Sequence, residues 1–73
     1  MPSKYPVLPS DIVVKFLKKE GFTEVSQRGS HKKLRKGDRV VIVPMHDEIP
    51  KGTLRSILEQ ADISLDILLN FIR

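Results

Sequence analysis

The stretch that decides the fold is residues 22–44, which reads FTEVSQRGSHKKLRKGDRVVIVP. The Gly29-Ser30 pair predicts a two-residue hairpin loop, because glycine readily adopts the positive φ that such loops need. A second turn is centred on Gly37, and the Val-rich run after it is the clearest strand in the chain, ended by Pro44. These signals predict three antiparallel strands at residues 22–28, 31–35 and 39–43.

The first turn fixes a register for its hairpin. The predicted pairs are Arg28 with His31, Val25 with Leu34, and Glu24 with Arg35. Val25 and Leu34 are the strongly apolar residues of these two strands after Phe22, so we expect both to face the core. Since side chains alternate along a strand, the solvent face should carry Ser26, Arg28, His31, Lys33 and Arg35. The length of the second turn decides whether Val40 or Val41 faces inward, and the sequence leaves both possible.

Helical patterns flank the strands on both sides. In residues 10–20, Ser10 is a good N-cap, apolar residues recur at helical spacing (Ile12, Val13, Phe16 and Leu17), and Gly21 is a plausible stop. Residues 51–62 carry a second apolar stripe: Leu54, Ile57, Leu58 and Ala61. Ser64 could cap a short last helix. The order predicts an α+β fold, a two-layer α-β-β-β-α sandwich with both main helices on one face of the sheet.

Length and composition bound the class of protein. A chain of 73 residues allows one domain over 1–73, with an extended proline-containing segment at 1–9 and a short helix at 64–73. It has no cysteine, which suits a reducing compartment. Residues 1–9 do not resemble a signal peptide, and the longest apolar stretch is too short to span a bilayer. We therefore expect a cytoplasmic protein without a membrane partner.

The positive charge is concentrated in one part of the chain. The net charge is +4, yet residues 28–39 alone contain six basic residues and one acidic residue. Such a cluster favours a polyanion partner, because bound cations release counterions and steer association. The alternative is a solvated strand whose lysines protect a sheet edge.

His31 lies inside this cluster, directly after the Gly29-Ser30 turn. An imidazole can accept or donate a proton near neutral pH, and neighbouring cations can hold phosphate oxygens. His31 could thus act in RNA cleavage, or it could be a contact or solvated residue on a basic strand. His46 begins an HDE triplet, but adjacent residues do not share a face, so we expect no metal and no cofactor. His46 is a loop or hydrogen-bonding residue, or an assistant to His31.

Several of these residues together resemble HicA-type mRNA interferase toxins. The resemblance spans about residues 10–63 and includes Gly21-Phe22, Gly29-Ser30-His31, the strand ending in Pro44, His46, and the segment PKGTLRSIL at 50–58. It implies a double-stranded-RNA-binding-domain-like fold and metal-independent endoribonuclease activity on mRNA. Carried over, His31 is catalytic, and Gly29 and Ser30 shape its turn. Around it, we expect RNA to be bound by Arg28, Ser30, Lys32, Lys33 and Arg35. It also implies a HicB-type antitoxin partner that covers the active face.

Two other functions fit the pattern. The same fold could be a non-catalytic RNA-binding module, which would bind RNA in a salt-sensitive way without forming product. Residues 53–73 could instead be a helix-turn-helix DNA reader, although their net charge of −1 suits DNA poorly. Relatives often have another histidine or an aromatic residue where Lys32 and Lys33 follow His31, so the resemblance does not fix substrate preference.

Overall fold

A computed structural model describes residues 5–73 of the chain. The elements are α1 (Ser10–Lys19), β1 (Thr23–Arg28), β2 (His31–Lys36), β3 (Arg39–Pro44), α2 (Lys51–Ala61) and α3 (Leu65–Ile72). The strands form one antiparallel sheet in the order β1-β2-β3. The predicted α+β class and element order are confirmed. The extended segment predicted for residues 1–9 lies outside the described residues over 1–4.

The second hairpin has a two-residue turn, and this length determines which side chains of β3 face the helices. Lys36 faces Arg39 across Gly37 and Asp38, and Gly37 has a φ of +59°. This register places Leu34 opposite Val41. Both are fully buried, whereas Val40 is 39% exposed and Ile42 is 40% exposed. Val41, and with it Val43, therefore faces the helices, and Val40 and Ile42 lie on the other face.

The first hairpin confirms one predicted pair and corrects two. Arg28 faces His31 as predicted, but an irregularity between Glu24 and Ser26 shifts the register, so Glu24 faces Leu34. The predicted burial of Val25 is wrong, because this residue lies at the bulge and is 52% exposed. The predicted pairing of Glu24 with Arg35 is also wrong, since Arg35 faces Thr23. An extra residue in one strand reverses the facing of everything beyond it.

The core lies between the sheet and the helices. Leu34 and Val43 from the sheet pack with a stripe from α1 (Val13, Val14, Phe16, Leu17) and one from α2 (Leu54, Ile57, Leu58, Ala61). In α1 the buried set includes Val14, and Ile12, predicted in its place, is only partly buried. From α3, Leu68 is fully buried, and the Phe71 ring lies 5.3 Å from that of Phe16.

The start of α1 is tied to the loop that follows β3. Pro9 occupies the N-cap position, so the prediction of Ser10 as the cap was one residue late. The Ser10 amide instead donates to the His46 carbonyl at 3.0 Å, and the Ile49 amide donates to the Leu8 carbonyl at 2.8 Å. These bonds order the loop next to the first hairpin turn. None of the helices in the described part of the chain has the length and apolar content that a membrane crossing requires.

Candidate functional site

The sheet has an outer face, which we define as the side opposite α1 and α2. It carries Ser26, Arg28, His31, Lys33, Arg35, Val40 and Ile42, as the register places them. Two rows cross the three strands. In one, His31 lies between Arg28 and Pro44; in the next, Lys33 lies between Ser26 and Ile42. The outer face is therefore basic on β1 and β2 and apolar on β3.

These two rows enclose a cavity of about 340 Å³ that is lined by Ser26, Arg28, His31, Lys33 and Ile42. It combines one imidazole with two side chains that are always charged near neutral pH. Among residues 5–73, those that line the cavity include no carboxylate. The local field therefore favours an anion, and a guanidinium and an ammonium are the groups that hold phosphate oxygens best.

The turn before His31 is stabilised by hydrogen bonds from β1 and from the loop after β3. Gly29 has a φ of +55°, a region that favours glycine. The Gln27 side-chain amide donates to the Gly29 carbonyl at 3.0 Å. The carbonyl of Ser30 accepts from the Met45 amide at 2.6 Å, which joins the turn to the loop after β3. The backbone of Ser30 thus anchors the turn, and this fixes Arg28 and His31 opposite each other.

Lys32 lies away from this cavity. Its side chain is only 16% exposed, and its ammonium contacts the Glu24 carboxylate at 3.1 Å. The same carboxylate contacts Lys18 of α1 at 2.9 Å. The hydrogen bond from Lys18, then that from Lys32, lowers the pKa of Glu24. The charge of Lys32 is therefore compensated on the helix side of the sheet, where it cannot reach a ligand bound to the outer face.

The other cations of the 28–39 cluster divide in the same way. Arg35 lies on the outer face one row beyond the cavity, and its Nε donates to the Gly37 carbonyl at 3.0 Å. Lys36 donates to the Glu20 carbonyl at 2.8 Å, and Arg39 contacts Asp62 at 3.1 Å. Three of the six cations, Arg28, Lys33 and Arg35, thus lie on the outer face. Strand alternation counted from the first turn was sufficient to predict the outer-face position of these three.

The remaining candidates are placed elsewhere. His46 is exposed in the loop after β3 and is not among the residues, within 5–73, that line the cavity. In the part of the chain that the structure describes, no three His, Asp or Glu side chains are grouped closely enough to hold a metal ion. Ser26 was predicted to lie on the outer face but not to be a site residue, and Ile42 was not singled out at all. Its alternation with Val41 and Val43 would have identified it once the length of the second turn was known.

Comparison with known protein families gives a match over most of the chain. The family described as HicA toxin of bacterial toxin-antitoxin matches residues 10–63. The matched region runs from the start of α1 to just beyond α2, so it contains every residue that lines the cavity and stops before α3. No curated protein matches the chain.

Proposed function

Because the chain belongs to the HicA toxin family of bacterial toxin–antitoxin systems, we propose that it is an endoribonuclease that cleaves mRNA without a metal and uses His31. The family makes it the toxin of such a system, with a cognate antitoxin as its partner. The observation that carries the proposal is the position of His31, which shares an exposed cavity with Arg28 and Lys33. We place this activity in the cytoplasm, where mRNA is available.

The reaction needs a base, an acid and positive charge at the phosphate, and the cavity supplies one imidazole and two cations. The ribose 2′-oxygen attacks the adjacent phosphorus, a new 2′-oxygen–phosphorus bond forms, and the bond from phosphorus to the 5′-oxygen breaks. The 2′-hydroxyl proton is taken up by a base, and the leaving 5′-oxygen gains a proton. The products are a 2′,3′-cyclic phosphate and a 5′-hydroxyl. An imidazole is suited to either proton transfer near neutral pH.

Arg28 and Lys33 are assigned to the phosphate. Residues directly opposite on antiparallel strands have Cβ atoms about 4.5–5.5 Å apart, and Arg28 is directly opposite His31. A phosphodiester can therefore contact the guanidinium and the imidazole together. Lys33 follows His31 by two residues on the same face, so its ammonium approaches from the adjacent row. Positive groups fixed in place before the reaction stabilise the charge that develops on the phosphate oxygens.

One observation favours a second candidate, a non-catalytic RNA-binding module. Among the described residues, one imidazole lines the cavity, that of His31, and no carboxylate does. Cleavage that uses one group as base and another as acid would need a second imidazole or a carboxylate in the cavity, or a water molecule. The module would keep the phosphate contacts of Arg28 and Lys33 and would form no product.

The test compares the wild-type protein with His31→Ala on a defined mRNA in the presence of a chelator. We expect the variant to lose about 10²–10⁴-fold in cleavage rate, with unchanged circular dichroism because His31 is exposed. His46→Ala is the matched control, since His46 is also exposed but lies outside the cavity lining. Equal cleavage by wild type and His31→Ala contradicts the mechanism. RNA binding without product by the wild type supports the second candidate.

We further propose a HicB-type antitoxin that inhibits by covering the outer face. Two properties of this face support the assignment. Its cations suit an acidic partner, and Val40 and Ile42 offer exposed apolar surface beside them. The antitoxin should compete with RNA, and Lys33→Ala should weaken both complexes. Simultaneous binding of RNA and antitoxin would contradict this assignment.

A further inference from the structure

One residue of the cavity has no role in phosphate chemistry. Ile42 lies directly opposite Lys33 and is 40% exposed. Single exposed apolar residues are common on protein surfaces. Ile42 differs from such a residue because it forms part of the cavity wall, in which the other four lining residues are polar or charged. A ligand bound there would therefore touch an apolar surface as well as cations.

A nucleotide has an anionic part and an apolar part, which match the cations and the apolar surface of the cavity. Its phosphate is anionic, and its base presents an apolar face that stacks on neighbouring groups. In an A-form duplex the stacked, regular backbone holds the 2′-oxygen out of line with the leaving 5′-oxygen. Attack requires the two oxygens to be in line across the phosphorus, so the nucleotide must leave the stack. An apolar surface beside the catalytic cavity would replace the contact that the base loses.

The size and charge distribution of the site fit one nucleotide better than a duplex. A cavity of about 340 Å³ lies at the small end of ligand pockets, which span about 300–1,000 Å³. Recognition of duplex RNA by domains of this general shape spreads over about 16 base pairs and two minor grooves. Here Arg28 and Lys33 converge on a single cavity.

We propose that Ile42 holds the base of an unpaired nucleotide beside the cleaved phosphate, so that the substrate is single-stranded RNA. The proposal rests on the proposed function for the cleavage step, but not for the binding step. Ile42 acts as a positioning and specificity-determining residue, because it touches the base and not the reacting atoms.

Ile42→Thr and Val40→Thr form a matched pair of variants. Both residues are on β3, both point to the outer face, and their exposures are 40% and 39%. Threonine keeps the β-branch in each case, so strand propensity is retained. Of these two described residues, Ile42 lines the cavity and Val40 does not. Circular dichroism and thermal unfolding should show that both variants fold.

The first measurement is cleavage of one labelled oligoribonucleotide, alone and annealed to its complement. We expect the wild type to cleave the single strand at least about 10-fold faster than the duplex. Ile42→Thr should lose about 10-fold in kcat/KM on the single strand, which is the scale of one apolar contact. Val40→Thr should stay within about 2-fold of the wild type. Equal losses in both variants, or faster cleavage of the duplex, would overturn the proposal.

The second measurement separates this proposal from the proposed function. A 2′-deoxy single strand of the same sequence lacks the attacking hydroxyl, so it reports binding alone. Ile42→Thr should bind it about 10-fold more weakly than Val40→Thr does, even if no RNA is ever cleaved. Replacing bases one at a time by abasic sites should weaken wild-type binding at one position and leave Ile42→Thr unchanged there. Equal affinities of the two variants would overturn the role of Ile42 whether or not the protein is a nuclease.

Discussion

Lys32 and Lys33 are neighbours in β2 but lie on opposite faces of the sheet. Lys32 contacts Glu24 on the helix side, whereas Lys33 lines the cavity that contains His31. The charge of one is compensated within the protein, and the charge of the other is available to a ligand. Two residues that look equivalent in the sequence therefore have different predicted functions.

Lys33→Ala and Lys32→Ala should differ in the salt dependence of RNA binding. Each phosphate contact on a single strand contributes about −0.7 to the slope of log K against log salt. Lys33→Ala should make that slope shallower by about 0.7, because one contact is lost. Lys32→Ala should keep the wild-type slope. A larger change of slope in Lys32→Ala than in Lys33→Ala would mean that RNA binds the helix side.

Gly29→Ala should cost about 1 kcal/mol of stability, because a φ of +55° is strained for alanine. Nothing lies within 4 Å of the added Cβ, so the cost arises in the backbone alone. Gly37→Ala is the control, since its φ of +59° and its open surroundings predict the same cost. Urea denaturation should show similar losses, but cleavage should fall only in Gly29→Ala, whose turn positions Arg28 against His31. Equal activities would show that the first turn does not shape the site.

Leu68→Ala tests whether α3, which lies beyond the matched family region, belongs to the core. Leu68 is fully buried, so its truncation should lower the free energy of unfolding by about 2–5 kcal/mol. Its neighbour Ile67 is 44% exposed, and Ile67→Ala should change the stability by no more than about 0.5 kcal/mol. Chemical denaturation of both variants gives the comparison. Near-equal stabilities would mean that α3 is not packed in solution.

Glu24→Gln should make stability less sensitive to acid. The pKa of Glu24 is lowered in the folded protein, so its ion pairs contribute fully above the ordinary glutamate pKa of about 4.3. That contribution is lost as the pH falls through the folded-state pKa. The variant should melt below the wild type at about pH 7, and the two melting temperatures should converge as the pH falls below the folded-state pKa. A difference that persists at low pH would indicate a packing defect; Glu48→Gln, in an exposed loop, is the control.

Local turn chemistry explains what could be predicted from the sequence. Gly29-Ser30 fixes Arg28 opposite His31 through adjacent residues alone, and the prediction holds. The outer-face placement of His31 and Lys33 then follows from alternation. The apolar stripes of α1 and α2 could also be predicted from local sequence, because each depends only on residue spacing within one helix.

The errors have a non-local cause. Glu24 contacts Lys18, which belongs to α1 and so lies outside the strand pattern. The bulge that turns Val25 outward forms only when β1 pairs with β2 in the folded sheet. Alternation counted back from the turn could not anticipate either. The role of Ile42 in the cavity also depended on a second turn whose length the sequence left open. Pairing across elements, rather than propensity within them, decided these positions.

The most direct test of the central claim is chemical rescue of His31→Gly by added imidazole. If the ring of His31 transfers a proton, free imidazole entering the vacated space should restore cleavage by at least about 10-fold, a fraction of what one such group contributes. Arg28→Ala should gain nothing from imidazole, because this variant has lost a positive charge and still has the proton-transfer group of His31. A folded His31→Gly protein that still binds RNA, yet is not rescued at any imidazole concentration, would contradict catalysis by His31.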